Sequence, residues 1–192
     1  MRFIALLLLA VLAYTPARSA DNDQINTDKA IAYFQSGKYH EAKLLLEQLN
    51  ARYQLNVRYK AYLGLCYYKD EEFDKCCACM DTLIQHLGML APEEQNVYCY
   101  AVAESHFKQS EYTKALPFYE QMLLLCSQIE RADVLYMMGF CYYLQKINTL
   151  AAEYWERSLC YYRQYAAHLP YSSQRIKQLE NMLGGIKEVT KQ

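Results

Sequence analysis

The chain has 192 residues with 20 lysines and arginines against 21 acids, a formal charge of −1. It carries no basic block of the kind that neutralises phosphates, which excludes nucleic acid as an expected partner. This length suits a single domain with a continuous core, and 20 tyrosines, six phenylalanines and one tryptophan make that core unusually aromatic.

The chain opens Met1-Arg2, and Phe3–Ala13 is a run of eleven residues without a charge. A bilayer needs about 20 such residues, so the run is too short to span one. A basic start, a short apolar stretch and the small-residue site Ala17-Arg18-Ser19 predict a secretory signal peptide over residues 1–19, cleaved after Ser19. The competing reading is a retained anchor. Cleavage removes Arg2 and Arg18 and no acid, taking the charge from −1 to −3. No later stretch is long and apolar enough to cross a membrane. The expected mature protein is soluble and exported, either periplasmic or secreted.

Ala20–Asn26 is polar and expected to fray, with a first helix from about Thr27 to a stop at Gly37. A second helix is predicted over Tyr39–Arg52, with Ala42, Leu45, Leu46 and Leu49 on one face. Asn56–Tyr68 and Phe73–Leu87 form the next pair. Gly88 can end a helix and Pro92 can begin one, with Glu93 and Glu94 placed to suit its dipole. Pro117 falls near the start of the third pair's second helix, where the first turn tolerates it. The fourth pair is Glu130–Gln145 and Thr149–His168, closed by Pro170. Tyr171–Val189, with Ile176, Leu179 and Leu183 on one face, reads as a helix that Gly184-Gly185 should weaken or end.

These pairs repeat. Gly64, Tyr67, Tyr68, Phe73, Cys76 and Met80 match Ala30, Tyr33, Phe34, Tyr39, Ala42 and Leu46 at an offset of 34. An offset of 39 leads on to Ala103, His106, Phe107, Tyr112, Ala115 and Tyr119, and a further 36 to Gly139, Tyr142, Tyr143, Asn148, Ala151 and Trp155. Two small residues stand 12 apart in every copy, so two antiparallel helices joined by a tight turn can approach closely. One such hairpin buries too little to stand alone, so neighbours must stack.

With its offset of 34, its small residue before an aromatic pair and the Gly-x-Tyr-x-Glu-Ala run at Gly37–Ala42, the chain resembles the tetratricopeptide repeat (TPR) proteins. Cys76, where the family usually has Ala, and Asn148, in place of a turn aromatic, depart from the pattern. The resemblance implies an all-α, right-handed solenoid of four helix-turn-helix units, at about 23–56, 57–90, 96–129 and 132–165 in a repeat domain of residues 20–170. Residues 171–192 would be a C-terminal capping helix and tail. It also implies a groove lined by the first helix of each unit. In this chain that groove would present Thr27, Ile31 and Phe34, then Ala61, Leu65 and Tyr68, then Tyr100, Glu104 and Phe107, then Tyr136, Phe140 and Tyr143. The Lys, Arg and Asn that grip a C-terminal carboxylate in some members are missing from those places. An apolar or aromatic peptide is the expected occupant, with tyrosine supplying contact area and an orienting hydroxyl.

Eight cysteines are many for this length. A redox role for Cys76-Cys77-Ala78-Cys79 would need a helix start after a strand, and a zinc role would need a second ligand pair; the sequence shows neither. Cys76 in place of Ala reads as a small buried hydrophobe, as do Cys66 and Cys141 in their matching Gly-x-Cys-Tyr-Tyr runs. Cys66–Cys99 and Cys126–Cys160 are the disulfide pairings to test. His40, His86, His106 and His168 are scattered one to a region, and His106 stands where the three other units have Tyr, a packing position. No catalytic set, metal set or cofactor motif is legible. The sequence thus points to a non-enzymatic module, an adaptor or assembly factor that binds a protein or peptide partner. The alternatives are a thiol-redox or metal-linked protein using Cys76–Cys79, and self-association through exposed aromatics.

Overall fold

A computed structural model of the protein describes residues 15–189; the apolar run of the expected signal peptide lies outside them. The chain folds as helical hairpins stacked in series: α1 (Thr15–Gln35) with α2 (Tyr39–Arg52), α3 (Val57–Lys69) with α4 (Phe73–Met80), α5 (Pro92–Lys108) with α6 (Tyr112–Leu125), and α7 (Gln128–Leu144) with α8 (Asn148–Tyr161). The final helix α9 (Ser172–Val189) packs on α8. No strand occurs among the described residues, and none of the described helices is long and apolar enough to cross a membrane.

Local chemistry sets the helix starts. Asn56 accepts a hydrogen bond from the Tyr59 amide ahead of α3. Ser127 and Glu130 form a reciprocal capping box ahead of α7, and Pro92 occupies the first turn of α5. The four hairpin turns share one backbone device. Gly37, Glu71, Ser110 and Lys146 occupy the same place in the repeat, and all have positive φ, between 60° and 75°. Only the first is a glycine, so three turns carry a left-handed strain that the packing on either side sustains.

The small residues have a more specific task than bringing two backbones together. In the second and fourth units the glycine makes room for a large side chain of the hairpin's second helix. A Cβ added to Gly64 would collide with Met80, and one added to Gly139 with the Trp155 indole. Leu46, Met80, Tyr119 and Trp155, equivalent in the four units, are at most 1% exposed. Three clusters of buried residues succeed one another, joined by half-buried rings such as Phe34, Tyr62 and Tyr142 that touch two of them.

Four boundaries differ from the sequence expectation. Helix α1 does not fray before Thr27, because Asp23 is buried and accepts hydrogen bonds from Arg52 at 2.9 Å and the Tyr53 hydroxyl at 2.6 Å. Helix α4 stops at Met80 rather than Leu87. The chain then tightens through i→i−3 bonds into a 3₁₀ segment, Ile84–Met89, and this winding buries Leu83, Ile84 and Leu87 together. Helix α8 passes into a π-helical turn at Tyr162–Ala166, which buries Tyr162 and Ala166. The glycine pair does not end α9, since Leu183 and Ile186 on either side of it are both buried and hold the helix in place.

Candidate functional site

The first helices α1, α3, α5 and α7 carry all the residues expected to line the groove, and the structure divides those residues sharply. Ala61, Leu65, Glu104 and Tyr136 are buried. Glu104 accepts a hydrogen bond from the Tyr119 hydroxyl at 2.5 Å inside the third hairpin, and burial pushes its carboxyl above the usual range. The Tyr136 ring lies under the Arg175 guanidinium, 4.0 Å from the centroid, so the capping helix covers it.

Phe34, Phe107 and Phe140 are half-buried and spend their faces on neighbouring rings. Phe34 stacks on Tyr62 at 4.2 Å, Phe107 meets Tyr112 edge-on at 5.3 Å, and Phe140 meets Trp155 at 5.1 Å. Thr27 and Ile31 do not join any described aromatic contact. Tyr100 and Tyr143 are the two that reach solvent, at 42% and 45% exposure. Tyr68 is half-buried and stands edge-on to Tyr100 at 6.0 Å, with Lys69 above its ring at 5.4 Å. Burial pushes the Tyr68 hydroxyl well above the ordinary tyrosine value, so it stays protonated and can donate.

Beside Tyr100 a hollow of about 410 Å³ opens between α5 and α7. Val97, Met122, Val134 and Met137 give it an apolar lining, and Lys69 and Asp133 set opposite charges there. Sequence reasoning found only Tyr100 of these. The others come from the end of α3, from α6 and from positions of α5 and α7 outside the family's groove register, and only the packing of four helices brings them together. Asn96, also in the lining, has a buried Oδ1 with no hydrogen-bond partner, an acceptor whose desolvation is uncompensated. Among the described residues no Cys, Ser, Thr or His lines the hollow; its ionisable groups are Lys69, Glu130, Asp133 and the tyrosines.

A second hollow, about 620 Å³, lies where Tyr143, Trp155 and Lys146 face Met182 and Ile186 of α9. A third, about 780 Å³, lies between α2 and α4 over α3, away from the predicted groove, and is lined by Lys60, Tyr67, Lys75, Cys79 and His86 among others.

All eight cysteines are free thiols. Cys66 and Cys99 are buried in different core clusters, while Cys126 is half-buried and Cys160 exposed. Cys76 and Cys79 both sit on α4 but face different neighbours: Cys76 Sγ lies 3.9 Å from the Ala101 carbonyl and Cys79 Sγ 3.4 Å from that of Lys60. Burial pushes the Cys76 thiol up to about 12, so a reactive thiolate is disfavoured at neutral pH.

No family model matches the chain, and no curated protein matches it. Solved structures do. A crystal structure of MamA superposes with a TM-score of 0.62 at 17% identity, covering 90% of this chain and 88% of that one. The nearly identical TPR-like repeats from Podosopora anserina superpose at 0.61 and 15% identity, covering 88% and 90%. A further MamA structure, from MSR-1, gives 0.58 at 16% identity over 88% and 97%. At these identities the likeness establishes the fold.

Proposed function

From a chain that is a TPR-like helical solenoid, we propose a non-enzymatic protein-interaction module that docks a peptide on the face of its first helices. The observation that carries this is the exposed Tyr100 ring, flanked edge-on by Tyr68 and opening onto the hollow between α5 and α7. A volume of about 410 Å³ is at the low end of the ~300–1,000 Å³ of ligand clefts, which suits one or two anchoring side chains of a peptide. Its apolar lining selects an aliphatic or aromatic anchor. The Tyr hydroxyls and the Asn96 amide supply orientation.

Selection of random peptides on the chain from residue 20 onward tests this. Enriched peptides should share an apolar anchor and lose roughly tenfold or more in affinity to Tyr100→Ala, since an aromatic hot spot is worth about 2 kcal/mol. Affinity unchanged in a variant of full helicity sinks the reading. Tyr136→Ala is no substitute for this variant, because the buried Tyr136 ring tests packing instead.

Export is part of the same proposal and rests on the Phe3–Ala13 run and the Ala17-Arg18-Ser19 site. Cleavage after Ser19 would trim the start of α1 but keep Asp23 and its anchors. N-terminal sequencing of the protein recovered outside the cytoplasm should begin at Ala20; recovery of the chain inside with Met1 intact would overturn it.

A further inference from the structure

Between the second and third hairpins three metal-ligand side chains converge. Cys77 and Asp81 are one helical turn apart on and just past α4, and His106 reaches them from the last turn of α5. The Cys77 sulfur, an Asp81 carboxylate oxygen and a His106 ring nitrogen all lie within 4.8 Å of one another. His106 is 1% exposed and Cys77 6%, whereas the Asp81 side chain is 43% exposed. Nε2 of His106 faces Asp81 Oδ1 at 2.8 Å, and Nδ1 faces Glu111 Oε2 at 2.7 Å. Phe118 stacks on the ring at 5.7 Å, and the Gln109 amide donates to the Cys77 sulfur at 3.3 Å.

We propose that Cys77, Asp81 and His106 form a binding site for a zinc-type divalent cation that ties the second hairpin to the third. Thiolate, imidazole and carboxylate together are the donor set of zinc, and three protein ligands leave a fourth position for solvent on the exposed Asp81 side. Glu111 is the positioning residue. By accepting from Nδ1 it fixes the ring orientation and turns the Nε2 lone pair toward the ion, as outer carboxylates do at zinc histidines. Ligand bonds of about 2.0–2.2 Å ask the Nε2–Oδ1 gap to open by about 0.5 Å. Asp81 can supply that movement, being at the end of α4 where regular helix gives way.

The repeat itself offers a second, independent argument. Cys77, Asp81, His106 and Glu111 occupy the places held one junction earlier by Lys43, Glu47, Tyr67 and Glu72, and one junction later by Leu116, Glu120, Tyr142 and Ile147. In the first junction those places close with an ion pair from Lys43 to Glu72 and a hydrogen bond from the Tyr67 hydroxyl to Glu47 at 3.0 Å. Only the middle junction fills them with soft and borderline metal ligands.

The test is titration of untagged, reduced protein with Zn²⁺ by calorimetry and with Co²⁺ by absorption spectroscopy. One equivalent should bind, with a thiolate-to-cobalt charge-transfer band. Cys77→Ser should abolish the band while helicity by circular dichroism is unchanged, and Asp81→Asn should weaken zinc binding at least tenfold. Glu111→Gln should weaken it roughly 10–100-fold with the band retained, the signature of a positioning residue. A wild-type chain without the band overturns the proposal, and so does a band that survives Cys77→Ser, because another cysteine would then be the ligand. Should Cys77→Ser not fold, Asp81→Asn decides, and zinc affinity within twofold of wild type overturns the site.

Discussion

The first two junctions of the solenoid place different chemistry on the same scaffold. Between hairpins one and two, the Lys43 ammonium is buried and reaches both Asp70 and Glu72, with His40 on the outer side of Asp70 at 2.7 Å. Burial works against that lysine's charge, but hydrogen bonds to the two carboxylates outweigh it and hold its pKa above the usual value. Between hairpins two and three, Cys77 replaces that lysine, Gln109 replaces Asp70, and His106 becomes the buried group between two carboxylates, Asp81 and Glu111. An α-solenoid fixes where side chains from adjacent hairpins meet, not what they are. A position that one junction uses for an ion pair is therefore available to the next for a ligand set.

The largest change expected is a transplant. Lys43→Cys, Glu47→Asp and Tyr67→His together, with Glu72 already in place as the outer carboxylate, should raise zinc stoichiometry from one to two. A stoichiometry that stays at one would show that the middle junction's break after Met80, and not the repeat frame, builds the site.

Next is Lys43→Met, which leaves Asp70 and Glu72 facing each other without their cation. Breaking a fully buried pair costs about 3–5 kcal/mol; because these carboxylates keep 17% and 26% exposure, about 2–3 kcal/mol is expected in urea unfolding. A loss under about 1 kcal/mol would mean that the clasp is no stronger than a surface pair.

Acid should separate the junctions more gently. Burial works against the Asp70 carboxylate, but Lys43 and His40 hold its pKa below 3.8. Hydrogen bonds from Lys43 and Lys75 hold Glu72 below 4.5. Depressed folded values contribute stability above the unfolded values and lose it as pH falls through the folded ones. At the second junction Lys114 and His106 lower Glu111 in the same sense. With two depressed carboxylates rather than one, α2 and α3 should lose hydrogen-exchange protection at a higher pH than α4 and α5 as the solution is taken below about pH 4.5. Simultaneous loss would refute the contrast.

The smallest effect concerns the turns. Ser110→Gly and Lys146→Gly relieve a left-handed residue but add unfolded-state freedom, for a net gain of up to about 1 kcal/mol, while Gly37→Ala should lose about as much. Thermal melts resolve this as a shift of about 2–4 °C. Equal midpoints for all three would show that the turns carry no strain.

Much of this was readable in advance. The four units, the paired small residues and the capping helix follow from a period of 34 to 39 residues and a 3.6-residue apolar stripe, signals that local sequence carries directly. The residues of the expected groove were legible only by helix. The frame assigned them to the first helix of each unit, but it could not show that Tyr136 lies under Arg175 or that Glu104 turns inward to Tyr119, because burial depends on partners far along the chain. His106 read as a packing residue. It is buried, and its polar partners, Asp81 25 residues before it and Glu111 five after, are set by how two hairpins dock.

The sequence by itself therefore determined the hairpin, its repetition and its turns, because each depends on residues within one or two helical lengths. Tertiary structure alone decided that α1 begins before Asp23, that α4 gives way to 3₁₀ winding, and which of the aromatics remain in solvent. It also decided that Cys77, Asp81 and His106 meet. Each of these outcomes balances burial against local preference, and only the docked neighbour supplies the burial.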